Sequence, residues 1–256
     1  MRGFGIDASV SVDVAADIAS LVERAGYGSF WVNGSPHEGA LNILEAAAER
    51  TSLDLGVGVF PLPKISADEL VSEVIGRGLP QERLWLGVGS GRRRGALDEV
   101  RQAVHKLRNS LDVTVTTGAV GPKMTSLAGE IADAVIFTWS IAAEVESNRV
   151  ILEQSAQAAH RDPLTVVSFI RCGLLPQAAE AVAQRAAAYS AIPHYKAVFD
   201  RYGMAAMDTV ITGSSRAEML PGIEGEERPL DVSIIRAIPA DNTAESFAEL
   251  VAACAP

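Results

Sequence analysis

One rhythm constrains this chain more than any other feature. Short, largely unalternating apolar runs recur eight times, each followed by a segment with helical spacing. The first four runs are "RGFGID", "SFWV", "LDLGVGVFPL" and "RLWLGVG". "LDVTVTT", "DAVIFTW", "LTVVSFIRCGLL" and "LDVSIIRAIP" complete the series. After the first run, Val14, Ile18, Leu21, Val22 and Ala25 fall on one helical face, and Gly26 and Gly28 mark the stop. Met124, Leu127, Ala128 and Ile131 repeat the spacing in the fifth unit, and Phe247, Leu250, Val251 and Cys254 in the last. Continuous apolar strands separated by helices suit a parallel sheet covered on its outer face. Eight such units favour a closed (β/α)8 TIM barrel over an open sheet, as one α/β domain spanning residues 1–256.

The seventh unit breaks the rhythm. About 55 residues separate "FIRCGLL" from "LDVSII", roughly twice the other crossovers. They hold an Ala-rich helix from about Gln177 to Ala188, then "IPHYKAVFDRYG", then a Gly/Pro/Glu-rich stretch around "LPGIEGEERP". "DTVITG", between them, reads equally as a strand, a turn or neither. The unit is either a lid or oligomer contact, or an elaborated surface.

Charge narrows the partners. Lys+Arg number 22 against 32 Asp+Glu, a net charge of -10, which argues against a broad nucleic-acid footprint. No segment approaches the roughly 18 apolar residues that span a bilayer, and "MRGFGIDASVSVD" lacks the apolar core of a secretory signal. Cys172 and Cys254 form neither a disulfide framework nor a metal-ligand cluster. The expectation is a cytoplasmic protein acting on a small molecule.

In such barrels functional groups gather where strands end. Those ends read Asp7, "VNGSPHE", "VGVFPLP", "VGSGRRR", "TTGAVGPKM", "TWS", "RCG" and "RAIP". The fifth is the most suggestive. Gly121 precedes Pro122, a good first helical residue, so the N–H groups of Lys123 and Met124 are expected free at the positive end of a helix dipole. Gly118 and Gly121 allow close approach of a ligand, and Lys123 adds a full charge. Ser90, flanked by Gly87, Gly89 and Gly91 and followed by Arg92 to Arg94, offers a second anion-friendly loop on the next strand. The alternative is plain chain reversal with solvated arginines. At the second strand, Asn33 and Ser35 are neutral hydrogen-bonding groups and His37 is a possible proton donor, or only a loop histidine. His105 and His160 fall on helices away from the mouth. Trp139 ends the sixth strand and is either a wall for a flat ring or packing.

The segments "LVERAGYGSFWV", "LGVGVFPLP", "RLWLGVGSG", "GAVGPKMTSLAGEIADAVIFTW", "PHYKAVFDRYG" and "IIRAIP", in this order, resemble the bacterial luciferase-like superfamily, particularly its actinobacterial branch of oxidoreductases dependent on coenzyme F420. The resemblance implies a TIM barrel holding a flavin or deazaflavin at its C-terminal mouth, with chemistry by hydride transfer. It implies a non-prolyl cis peptide at Gly58-Val59 bulging against the ring. It also implies cofactor contacts from Ser90, Gly91 and Arg92, and a phosphate held by Gly118, Ala119, Val120, Gly121, Pro122, Lys123 and Met124. Asp7, Ser35, Trp139 and His194 are expected around the substrate, with His37 and Asn33 as catalytic candidates. Pairing as a homodimer through barrel helices is implied as well.

Three departures stand out. Gly34 and Ser35 occupy positions where the family often carries an acidic residue and a histidine. Arg92 replaces an acidic residue frequent in deazaflavin users, and the seventh unit is short. The leading expectation is an F420-dependent oxidoreductase. The others are an FMN-dependent monooxygenase and a family member that binds a cofactor without turnover. A phosphate-binding isomerase or aldolase lacks the Lys or Glu it would need at a strand end.

Overall fold

The structure is a computed structural model that describes residues 1–91 and 96–256. Its strands are β1 (Arg2–Ile6), β2 (Ser29–Val32), β3 (Asp54–Pro61), β4 (Leu84–Gly89), β5 (Thr114–Gly118), β6 (Ala134–Thr138), β7 (Thr165–Leu174), β8 (Val210–Gly213) and β9 (Val232–Ala237). All pairings are parallel. The order β6-β5-β4-β3-β2-β1-β9-β7, closed by β6 against β7, is an eight-stranded barrel. Helices α1 (Val12–Arg24), α2 (His37–Arg50), α3 (Ala67–Gly76), α4 (Leu97–Ser110), α5 (Pro122–Ile131) and α6 (Ala142–Ala158) follow the first six strands. After β7 come α7 (Ala179–Ser190), α8 (Pro193–Tyr202), β8 and α9 (Arg216–Glu227), and α10 (Ala244–Ala253) follows β9. The (β/α)8 expectation holds.

Two apolar layers result. The strand faces that look outward pack on helix stripes such as Ala15, Ile18, Ala19 and Val22 of α1. Inside the barrel, Trp31, Ile136, Val167, Phe169 and Ile234 fill the lower interior. Glycines make room for these large rings: a Cβ on Gly56 would lie 2.3 Å from Trp31, and one on Gly58 would lie 2.6 Å from Phe169. The floor of the barrel is therefore solid, and any cavity must open above it.

"DTVITG" supplies β8, a ninth strand. It pairs with Arg171–Leu174 of β7, just past Thr165–Phe169, where β6 pairs. The wall of the barrel is thereby extended on the β7 side of the mouth. The Gly/Pro/Glu-rich stretch is α9, a helix that runs through Pro221. Proline removes one helical hydrogen bond. Burial of Met219 and Ile223, one turn apart and both at 0% exposure, outweighs it, while Gly222 lies against Ile211 of β8. Local composition argued against a helix here, and tertiary packing decided otherwise.

Glu227, at the end of α9, accepts a forked pair from Arg2 at 2.6 and 2.7 Å and a further bond from Ser233 at 2.6 Å. Arg2 also donates to the carbonyls of Cys254 and Ala255, joining β1, α9 and the chain end. Arg2→Met leaves Glu227 half-buried with only the Ser233 hydroxyl in place of the guanidinium, so it should lower unfolding free energy by about 2 kcal/mol in chemical denaturation. Among the described residues, no helix is long and apolar enough to cross a membrane, and no cluster of metal-ligating side chains forms.

Candidate functional site

The C-terminal ends of the strands enclose an open cleft of about 1370 Å³. Most residues singled out from sequence meet there. Asp7, Asn33 and Ser35 line it from β1 and β2, Gly58 and Val59 from β3, and Ser90 and Gly91 from β4. Gly118 to Met124 line it from β5 and α5, and His194 from α8. Arg92 lies outside the described residues.

The β3 end is built around one side chain. The Gly58–Val59 peptide is cis, and the β3–β4 register shifts between Val57 and Phe60. Cβ atoms on Gly87, Gly89 and Gly118 would approach Val59 to 2.9, 2.9 and 3.2 Å. These three glycines form a socket for Val59, which explains the "GVG" of β4 better than ligand contact does. Gly91 is different: its φ of +59° and a Cβ position 2.7 Å from Pro63 both require glycine at the turn. Across from the socket, the Val59 carbonyl fills the place of a side chain on Gly34, at 2.4 Å.

At α5, Gly121 is the N-cap with no side-chain cap, and Pro122 is the first helical residue. The expectation of two free amides needs correction. Met124 N–H and Thr125 N–H both donate to the Gly121 carbonyl, at 3.1 and 3.0 Å. The amides of Val120, Gly121 and Lys123 have no partner among the described residues. A Cβ on Gly121 would meet open space, and Lys123 is exposed with no ion pair among the described residues. The result is a donor-rich pocket beside Ser90.

The geometry bears on three further candidates. His37 opens α2 outside the cleft, within electrostatic reach of Glu69 on α3. Trp139 is not a wall of the cleft. Its left-handed backbone, φ 57°, turns the indole back beneath α7 and α8, where it is 1% exposed and lies 4.6 Å from Tyr189 between ring centres. His160 sits just beyond α6 rather than on a helix. Asn33 lines the cleft, but its carbonyl accepts from Ala8 N–H at 2.7 Å and its amide donates to Ser35 at 2.6 Å, so it braces two loops.

The other half of the cleft is built from residues that no local motif marks. Arg171 from β7, Arg185 and Tyr189 from α7, Tyr195 from α8 and Arg236 from β9 all line it. Arg236 donates to Asp7 at 2.8 Å and Arg185 to the same oxygen at 3.2 Å. Burial works against a charged Asp7, yet Arg236 and Arg185 outweigh it and hold the carboxyl below its usual range. Burial lowers Arg236 as well, with Asp7 opposing. The available signal was an arginine inside each of the apolar runs "FIRCG" and "IIRAIP". A charge at an inward strand position near the mouth needs a reason.

No family model and no curated protein matches the chain by sequence. Solved structures do match in fold. An F420-dependent secondary alcohol dehydrogenase in complex with an F420-acetone adduct has a TM-score of 0.75 at 16% identity, over 98% of this chain and 97% of that one. The coenzyme F420-dependent tetrahydromethanopterin reductase from Methanopyrus kandleri has a TM-score of 0.75 at 16% identity, over 98% of both chains. The oxygenating constituent of 3,6-diketocamphane monooxygenase from Pseudomonas putida, in complex with FMN, has 0.70 at 12%, over 99% and 98%. Identities this low establish a shared fold.

Proposed function

We propose that this chain is an oxidoreductase of the luciferase-like superfamily that binds coenzyme F420 in its barrel mouth and acts on a small organic substrate. The observation that carries this reading is the adjacency of two built features. One is the Val59 bulge in its glycine socket; the other is the donor pocket at the start of α5. A flat ring would rest against the first while its phosphate meets the second. The shared fold with F420-dependent proteins supports the cofactor class.

When bound, a deazaflavin supplies two-electron hydride transfer; binding, orientation and protection fall to the protein. The amides of Val120, Gly121 and Lys123, the Lys123 ammonium and the Ser90 hydroxyl would hold the phosphate, aided by the α5 dipole. Val59 would support one face of the ring. His194 lines the cleft and replaces His37 as the group that moves a proton to or from substrate. Ser35 offers a hydroxyl on the same wall. On the same resemblance, the protein is assigned to the cytoplasm as a homodimer.

A second reading, an FMN-dependent monooxygenase, draws on the FMN-complexed neighbour of the same fold. Titration with F420 and, separately, FMN, following ring fluorescence at low and high salt, separates the two. F420 should saturate the site, with affinity reduced about ten-fold or more by Lys123→Glu. Tighter FMN binding would favour the monooxygenase. Failure of both to bind would sink the cofactor assignment.

A further inference from the structure

Arg171 stands apart from the other arginines of the cleft. It is 6% exposed, yet no carboxylate lies within ion-pair reach of it among the described residues. Its Nη2 donates to the Thr138 hydroxyl at 2.7 Å. The guanidinium carbon lies over the Trp139 ring, 3.9 Å from its centre, and 5.4 Å from that of Tyr189, contacts that help hold it in place. A guanidinium carries five donors in a rigid fork. Here the fork is oriented, buried and only partly used. Arg236 differs, because Asp7 meets its charge.

The surroundings sharpen the contrast. Among the described residues, three arginines and Lys123 line the cleft against the single carboxylate of Asp7, in a chain of net charge -10. A cationic recess in an acidic particle attracts anions selectively. In the closed ring of strands, β7 stands four places from β3 in either direction, so Arg171 faces the Val59 bulge across the mouth. A molecule between them would touch Arg171 on its far side from the bulge. The phosphate pocket of β4 and β5 lies elsewhere on the rim.

We propose that Arg171 anchors a carboxylate on the substrate, so that the cleft acts on a small organic acid rather than on a neutral alcohol or ketone. The word substrate rests on the oxidoreductase reading; the anion site itself does not. Thr138 and the stacked rings hold the fork while the remaining N–H groups meet both carboxylate oxygens. Burial without a counter-charge pushes the guanidinium down to about 9, a cost that a bound carboxylate would relieve.

The test uses acetate and benzoate against their neutral amides, read by calorimetry, thermal denaturation and tryptophan emission. The carboxylates should bind and raise Tm, and the amides should not. Arg171→Met should lose about ten-fold or more of the carboxylate affinity. Its own Tm without ligand should be higher than wild type, since an uncompensated buried charge is gone. A merely structural arginine would give the opposite shift. Should Arg171→Met fail to fold, the arginine serves the fold as well, and Arg171→Lys together with the change in wild-type tryptophan emission on carboxylate binding decides whether it also holds the anion. Equal response to acid and amide, or an undiminished carboxylate response in the variant, would overturn the proposal. So would a parallel loss of F420 affinity, which would assign Arg171 to the cofactor. Lack of any cofactor binding alongside specific carboxylate binding would instead remove the oxidoreductase reading and leave the anion site standing.

Discussion

Gly34→Asp should destabilise the protein by about 3 kcal/mol and abolish cofactor binding. The resemblance noted in the sequence makes this substitution look like a repair, because it implies an acidic residue at the end of the second strand. The structure argues otherwise. A Cβ at position 34 would stand 2.4 Å from the Val59 carbonyl oxygen and 2.6 Å from Phe60 Cα, both backbone atoms. The bulge cannot retreat, since Gly87, Gly89 and Gly118 already enclose the Val59 side chain from the other side. The clash must therefore be relieved by moving β3, and with it the surface offered to a ring. Ser35→Asp is the informative control. Ser35 is exposed and lines the cleft, so it should accept a carboxylate with little loss of stability. Denaturant unfolding of both variants, followed by cofactor titration of the folded ones, compares them directly. A Gly34→Asp protein of wild-type stability would show that the bulge is not pinned.

The barrel was legible because its signal is repeated and local. Eight apolar runs with helical spacing between them specify strands and helices one unit at a time. The phosphate-loop candidate was legible for the same reason, since Gly118 to Met124 are contiguous. What stayed hidden depends on contacts distant in sequence. Gly87 and Gly89 read as a ligand loop, whereas their neighbour is Val59, nearly thirty residues earlier. Trp139 reads equally as a wall or as packing, and only a left-handed backbone angle and the helices after β7 decide for packing. Arg171 and Arg236 sit in apolar runs whose closure brings them to one cleft with Arg185 from α7. Pro221 argued locally against a helix that Met219 and Ile223 secure by packing.

Asp7→Asn should cost about 3 kcal/mol at neutral pH, for a reason that also predicts its pH dependence. Asp7 is the one acidic partner of Arg236 and Arg185 among the described residues, with side-chain exposures of 22%, 12% and 45%. Asparagine keeps the shape but leaves two cations facing each other in the cleft wall. Because the folded carboxyl titrates below its unfolded value, its contribution is complete above the unfolded pKa, near 4, and is lost as pH falls through the folded one. Wild type and Asp7→Asn should therefore differ fully at pH 7 and converge in strong acid, as denaturant midpoints across that range would reveal. Arg236→Met in the Asp7→Asn background should recover much of the loss, since it removes the more deeply buried of the stranded charges. If the double variant is no more stable than Asp7→Asn, the cost comes from lost packing around β1 rather than from charge. The same cycle bears on ligand binding. With Asp7 neutralised, the described residues of the cleft offer three arginines and no counter-charge, so its carboxylate affinity should rise even as the empty protein weakens. Opposite movement of stability and anion affinity is the behaviour expected where buried cations are kept for a ligand rather than for the fold.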